Sequence, residues 1–170
     1  MGTRKGDEAE RENLLRLIAT AFKGVERGEI TLHQAWVIDR VGTAEEERAA
    51  QRLDTESRWQ DIPDTKIAEF PTALSFVDME SFRYYLPAYM TWTLRYGQTD
   101  TTSSIIPDWT IYSLDSETTN EKLRRLLSKE QRRAVCLFLR YCAQHTGYFD
   151  AKAATRALKY WDRKRTSKDS

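Results

Sequence analysis

Residues 80–92 read ESFRYYLPAYMTW, and this stretch decides the fold of the chain. Apolar and aromatic side chains recur there at helical spacing, with Pro87 in their midst. One set of side chains steps by three and four residues, and a second set follows at steps of four on a neighbouring face. The first set is Phe82, Tyr85, Leu86, Tyr89, Met90 and Thr93, and the second is Tyr84, Ala88, Trp92 and Tyr96.

This pattern predicts a central core helix, because a helix that is apolar around most of its circumference is buried by the rest of the protein. Pro87 has no N–H group and crowds the preceding turn of a helix. We therefore expect either a helix that bends at Pro87 or one that ends at Leu86 and a second that starts with Pro87 in its first turn.

The alternative interpretation is a ligand cleft beside helix 80–96. The hydroxyl groups of Tyr84, Tyr85 and Tyr89 would line it and Arg83 would stand at its mouth, a mixture of apolar and polar groups that suits a small molecule. This alternative makes the protein a small-molecule binder or an enzyme. We favour the core interpretation, because aromatic residues at helical spacing more often fill a core.

Two carboxyl groups near this stretch allow two interpretations. Asp78 and Glu80, beside Arg83, would serve as acid and base groups in a catalytic site. They are also the residues that a helix N-terminus prefers, and we favour that structural role.

Helical signals extend over most of the chain. Thr31, Thr43 and Ser128 are each followed three residues later by Glu or Gln, which is the pattern of a capping box. We predict a single all-α domain over 1–170, a bundle of six to seven helices with a bent central helix at Pro87. Residues 1–56 form its N-terminal helices, 57–163 the remainder, and 164–170 a frayed tail.

The segment 97–120 carries no clear helical signal and is predicted to be irregular. Within it, IIPDWTIYSLD at 105–115 alternates enough to favour a short strand or extended segment. Trp109 and Tyr112 lie in this segment, and aromatic side chains on loops are natural interface anchors. We predict these two residues as a partner-binding site.

Composition places the protein among ordinary globular chains, with 40% hydrophobic and 31% charged residues. The start of the chain lacks the apolar core of a signal peptide, and no apolar run reaches the length of a membrane span. Cys136 and Cys142 are six residues apart in a helical pattern and point in different directions, so they do not form a disulfide. We expect a cytoplasmic protein that does not cross a membrane.

Charge is distributed unevenly along the chain. Residues 1–121 hold 13 Lys/Arg and 22 Asp/Glu, a net charge of −9, whereas residues 122–170 hold 14 and 4, a net charge of +10. Either the two parts pack together with complementary charges, which we favour, or the basic part binds nucleic acid. The basic side chains on the outer face of the last two predicted helices are Arg132, Arg133, Arg140, Lys152, Arg156, Lys159 and Arg163.

Motifs for catalysis or metal binding are absent from the sequence. It contains no glycine-rich phosphate loop, no HExxH, no CxxC and no GxSxG. Cys142 and His145 would supply two ligands of a zinc site, but a structural zinc ion takes four, and no second pair has suitable spacing. We therefore predict no metal, no cofactor and no catalytic residues.

Three stretches resemble an uncharacterised bacterial family known only as a domain of unknown function. They are ALSFVDMESFRYYLPAYMTW at 73–92, LSKEQRRAVCLFLRYCAQ at 127–144 and ALKYW at 157–161, within a similarity that covers 57–163. The distinctive pattern is ALSFxDxxxFRYYLPAYM. The resemblance implies a bacterial, non-secreted, mainly helical protein and carries over no functional residues.

Together these observations favour a non-enzymatic protein-binding module. Its concrete form would be a small bacterial immunity or inhibitor protein that masks a toxin. A small-molecule binder or enzyme is the first alternative, and a nucleic-acid binder is the second.

Overall fold

The computed structural model describes residues 2–99 and 105–163. In these ranges helices are joined by turns and loops, and there is no strand. Nine α-helices and two single-turn 3-10 helices, Trp59–Asp61 and Ala73–Ser75, occur within those ranges, so the all-α class is confirmed and the predicted number of six to seven helices is too low. The α-helices are α1 Gly2–Ala21, α2 Leu32–Asp39, α3 Ala44–Gln51, α4 Asp64–Glu69, α5 Met79–Tyr96, α6 Ile106–Ser113, α7 Glu117–Leu126, α8 Lys129–Gln144 and α9 Ala151–Trp161.

Helix α5 is the spine of the fold. Every residue in 84–94 is buried, and the helix contacts α1, α4, α6, α7 and both 3-10 helices. It runs without interruption through Pro87, so the expectation of one helix ending at Leu86 and another starting at Pro87 is wrong. Burial on all sides offsets the loss of one backbone hydrogen bond at the proline.

The N-terminus of α5 is fixed by its capping residue. Asp78 accepts hydrogen bonds from the N–H of Ser81 at 2.9 Å and from the N–H of Ile30 at 2.8 Å, so it caps the helix and also holds the loop before α2. This loop approaches so closely that a Cβ atom on Gly28 would lie 2.2 Å from the Asp78 carboxylate. Only glycine fits at that position.

The predicted irregular segment 97–120 is largely helical where the structure describes it. Ile106–Ser113 is an α-helix, so the expected strand or extended segment at 105–115 is wrong, and α7 follows from Glu117. Pro107 lies in the first turn of α6, where a missing N–H costs nothing. Residues 100–104 of this segment lie outside the described residues.

The remaining helices close around the spine. Helix α8 packs against α1 and α9, and α9 also contacts α6 and α7. The predicted capping boxes at Thr31, Thr43 and Ser128 are all present and open α2, α3 and α8.

The tail 164–170, predicted to be frayed, lies outside the described ranges. Within those ranges no helix combines the length and the apolarity needed to cross a membrane.

Candidate protein-binding groove

A groove lies between α6, the N-terminal end of α5 and the preceding 3-10 helix Ala73–Ser75. We call it the Trp109 groove, and its volume is about 230 Å³. Apolar side chains form part of its lining, two aromatic side chains border it, and four hydroxyl side chains contribute polar groups. These residues are Leu74, Val77, Met79 and Phe82, then Trp109 and Tyr112, then Ser75, Ser113, Ser116 and Thr119.

The structure brings together the two residues predicted to bind a partner. Trp109 and Tyr112 are separated by one helical turn, and their rings meet edge to face with centroids 6.3 Å apart. Their exposed fractions are 39% and 41%, so each ring is half in contact with the protein and half open to solvent. Side chains in this position can anchor a partner with little rearrangement.

Carboxyl groups flank the aromatic pair. The Tyr112 hydroxyl donates to Asp150 at 3.0 Å, and this hydrogen bond raises the pKa of Tyr112. Asp150 also caps α9, and the hydrogen bond from the Ala153 N–H lowers its pKa. Partial burial, together with the nearby charge of Asp150, raises the pKa of Asp108. Two carboxyl groups therefore lie next to the aromatic pair, outside the lining of the groove.

The three tyrosines that were predicted to line a cleft lie in the core. Tyr84, Tyr85 and Tyr89 are 0%, 1% and 0% exposed, and a ligand would have to displace neighbouring helices to reach them. The Tyr84 hydroxyl donates to the Glu56 carbonyl at 3.0 Å and the Tyr89 hydroxyl to the Phe70 carbonyl. Burial raises the pKa of Tyr84 to about 12, because the ionised phenolate would be poorly solvated in the core.

Arg83 is partly buried on another side of α5. Its Nη1 lies 3.5 Å from the Leu126 carbonyl oxygen, and its Nε is buried without a partner among the described residues. A cleft beside α5 does exist, with a volume of about 150 Å³, but the α5 residues that line it are Ala88, Thr91 and Arg95. The structure thus separates Arg83 and the three tyrosines from this cleft.

Asp78 occupies the position before α5, and Glu80 lies in its first turn. Burial raises the pKa of Asp78, but the hydrogen bonds from Ile30 and Ser81 outweigh that effect and bring the pKa below its ordinary value. Glu80 is exposed on the helix surface. Asp78 is therefore an ionised helix cap, as the favoured interpretation held.

A buried ionic cluster, which sequence reasoning missed, ties the N-terminal helices to α4. The Asp54 side chain is 2% exposed, and it accepts hydrogen bonds from the His33 N–H at 2.9 Å and from Lys66 Nζ at 3.2 Å. The His33 ring lies 2.9 Å from Asp54, and Lys66 also binds Glu56 at 2.6 Å. No local signal in the sequence pointed to this cluster, because its partners are distant in sequence.

Opposing effects act on the ionisation of this cluster. Burial raises the pKa of Asp54. The hydrogen bonds from the His33 N–H and from Thr31 lower it by more than burial raises it, so the net shift is downward. For Lys66, burial lowers the pKa, but the bonds to Glu56 and Asp54 raise it overall. Both groups are held in their charged forms, which marks the cluster as a structural clamp.

Some of the basic side chains predicted on the outer face of the last two helices are bonded within the chain. Arg132 Nη1 donates to the carbonyls of Leu127 at 2.6 Å and Arg124 at 3.2 Å, at the end of α7. Arg156 forms an ion pair with Asp115 at 2.7 Å. The other side chains are exposed and have no ion-pair partner within the described ranges, namely Arg133, Arg140, Lys152, Lys159 and Arg163.

Cys142 and His145 do not form a metal site. The Cys142 side chain is fully buried, and burial raises the pKa of its thiol. The His145 ring stacks on Tyr141 with centroids 4.1 Å apart, and its Nδ1 lies 2.7 Å from the Tyr141 carbonyl. In the part of the chain that the structure describes, no group of three or more His, Cys, Asp or Glu residues could hold a metal ion.

The fold and the groove define an all-helical protein with a buried aromatic spine and a half-exposed aromatic pair on its surface. The profile of DUF6714, a family of unknown function, matches residues 10–165, and the chain belongs to this family. The match begins well before 57–163, the range of the resemblance seen in the sequence, so the N-terminal helices belong to the family fold. Neither a curated protein nor a solved structure matches this chain.

Proposed function

We propose that the protein is a non-enzymatic protein-binding module, and that its partner inserts a side chain into the Trp109 groove. The observation that carries this proposal is the half-exposed pair of Trp109 and Tyr112 beside a groove with apolar lining. Trp and Tyr are the residues in which interface binding energy concentrates, because they bury a large area at low entropic cost.

The size of the groove favours a macromolecular partner over a small ligand. Its volume of about 230 Å³ is below the 300–1,000 Å³ or so of typical small-molecule pockets. It is large enough for one apolar side chain of a partner. The hydroxyl groups of Ser113, Ser116 and Thr119 at its edge can bond to the polar rim that surrounds such an anchor.

The specific form that we propose is an immunity or inhibitor protein that masks a toxin in the bacterial cytoplasm. The uneven charge of the chain supports a macromolecular partner, because a net charge of −9 in residues 1–121 and +10 in residues 122–170 favours oriented docking. The carboxyl groups of Asp108 and Asp150 beside Tyr112 favour a partner with basic residues around its apolar anchor.

Affinity capture from the native host tests this proposal. Immobilised wild-type protein should retain a specific partner, and the double variant W109A/Y112A should lose it. Tyr148→Ala is the matched control, because Tyr148 is 54% exposed and does not line the groove. Capture that persists in W109A/Y112A would place the binding site elsewhere.

The first alternative, a small-molecule binder or enzyme, would use the cleft beside α5. This cleft is lined by Ala88, Thr91 and Arg95 of α5 and has a volume of about 150 Å³. A metabolite that raises the melting temperature of the wild type but not of Thr91→Trp, which fills the cleft, would support this alternative.

The second alternative, nucleic-acid binding, would use the unpaired cations of α8 and α9. Arg133, Arg140, Lys152 and Lys159 are exposed there. Fluorescence anisotropy with a labelled duplex and a labelled single strand measures this directly. Affinity that falls steeply with salt would support it, and lack of binding at low salt would exclude it.

A further inference from the structure

The turn between α2 and α3 contains a strained and exposed valine. The N–H of Val41 donates to the Ile38 carbonyl at 3.0 Å, and that of Gly42 to the Val37 carbonyl at 2.8 Å. These two bonds form a complete Schellman motif, in which the first residue beyond the cap adopts the left-handed conformation and is usually glycine. Here that residue is Val41, with φ of 58°, and it is β-branched.

The strain at Val41 is not offset by packing. Its side chain is 90% exposed, so it makes almost no contact within the protein. The glycine of the turn stands one position later, where a Cβ atom would lie 2.5 Å from the Val37 side chain. Residues held in strained conformations without internal benefit are concentrated where a protein meets a ligand or partner.

Trp36 extends this apolar surface. It is 53% exposed, and the guanidinium of Arg40 lies 4.6 Å from the centroid of its ring. Arg40 is in turn held by Glu46 at 2.8 Å, which keeps the guanidinium over the indole. We call Trp36, Arg40 and Val41 the α2–α3 corner.

The α2–α3 corner has an acidic rim. Three exposed carboxylates are associated with it: two are close to the corner in sequence, on α2 and α3, and the third lines a small hollow together with Trp36. None of them has an ion-pair partner within the described ranges. They are Asp39, Glu45 and Glu69.

The complementary surface is present on the same chain. Arg133 and Arg140 are seven residues apart on α8, as are Lys152 and Lys159 on α9, so each pair lies on one face of its helix. All four are exposed and unpaired in the described part of the chain. We call them the basic face.

Contacts within one copy do not neutralise these opposite charges. Apart from the pair Glu121–Arg125 within α7, a single ion pair, Asp115–Arg156, joins the acidic and basic regions of the described chain. The favoured sequence interpretation, complementary packing of the two regions, therefore rests on that one pair. A net charge of only +1 leaves little repulsion between copies.

We infer that the α2–α3 corner of one molecule docks on the basic face of a second copy of this chain. Trp36 and Val41 supply the apolar contact, and the surrounding carboxylates meet the four cations. An isologous contact between two corners would instead bring two acidic rims together. Because the two surfaces differ, the contact is heterologous, and copies associate head to tail in an open chain or a closed ring.

Sedimentation velocity measures this association directly. At low salt the mean sedimentation coefficient of the wild type should rise with concentration, and about 0.5 M NaCl should shift it back towards the monomer. Trp109→Ala should associate like the wild type, which separates this inference from the Trp109 groove. A wild type that stays monomeric at every concentration at low salt would overturn the inference.

Complementary variants give a sharper test. W36A/V41G lacks a working corner, R133E/R140E lacks a working basic face, and each alone should associate at least about tenfold more weakly than the wild type. Mixed together, they should form a one-to-one complex that cannot extend, because each supplies the surface that the other lacks.

Folding of each variant is checked by circular dichroism, and K152E/K159E replaces R133E/R140E if the latter does not fold. A mixture that stays monomeric would overturn the head-to-tail contact. So would self-association that survives in W36A/V41G.

Discussion

Two aromatic-rich regions of this protein have opposite surroundings. In α5 the rings of Tyr84, Tyr85 and Tyr89 are at most 1% exposed, whereas Trp109 and Tyr112 on α6 are about two-fifths exposed. Helix α5 is covered on all sides by other helices, and α6 leaves one face open beside a groove. Aromatic content alone therefore does not identify a binding surface, because the coverage of each helix decides which rings are available.

The largest difference between the two regions should appear in stability. Tyr89→Ala should lower the free energy of unfolding by about 3–5 kcal/mol, since it opens a core cavity and leaves the Phe70 carbonyl without its donor. Trp109→Ala, the surface counterpart, should lower it by no more than about 1–2 kcal/mol, because two-fifths of the side chain is already exposed. Urea unfolding of both variants measures this, and equal losses would show that α6 is as structural as α5.

A second comparison sets the buried ionic cluster against a surface ion pair. Asp54→Ala should destabilise the protein by about 3 kcal/mol, because it leaves Lys66 partly buried with one fewer anion. Asp115→Ala removes the exposed pair with Arg156 and should lower stability by no more than about 1 kcal/mol. If both variants lost the same amount in urea unfolding, Asp54 would not be a clamp.

Asp54 of the cluster and the helix cap Asp78 also predict how stability depends on pH. The folded pKa values of Asp54 and Asp78 lie below the unfolded value of 3.8, so their contribution is complete above pH 3.8 and is lost as the pH falls through the folded values. Asp54→Asn should flatten the loss of stability below pH 3.8. Urea unfolding as a function of pH checks this, and a profile that Asp54→Asn leaves unchanged would mean that the bonds to His33 and Thr31 do not hold the ionised form.

The smallest effect concerns the strained turn. Val41→Gly should raise the free energy of unfolding by about 1 kcal/mol, because glycine adopts a positive φ without strain. Gly42→Ala is the matched control and should lower stability, since its Cβ atom would collide with Val37. Thermal unfolding distinguishes them. A Val41→Gly variant less stable than the wild type would show that the exposed side chain contributes to folding.

Local signals in the sequence were sufficient to predict much of the fold. The capping boxes at Thr31, Thr43 and Ser128 depend on residues three positions apart, and each opens a helix as predicted. The buried stripe of α5 also follows from its own spacing.

The helix α6 escaped prediction because its sequence, rich in Ile and Thr, alternates like a strand. Its identity depends on burying Ile106, Thr110 and Ile111 on one helical face against distant parts of the chain. The predicted partner-binding residues Trp109 and Tyr112 do lie together on the surface, but the groove beside them is built largely from residues 74–82. Such a juxtaposition of segments some 30 residues apart is not encoded in local spacing. The same holds for the Asp54 cluster, whose members come from three separate segments.

The most direct test of the division between spine and surface is the affinity of the captured partner for Trp109→Ala, measured by isothermal titration calorimetry against the wild type and Tyr148→Ala. If Trp109 is an interface anchor, its loss should raise Kd by about 30-fold or more while the circular dichroism spectrum of the variant stays that of the wild type, and Tyr148→Ala should bind like the wild type. An unchanged Kd for Trp109→Ala would contradict the assignment of α6 to recognition.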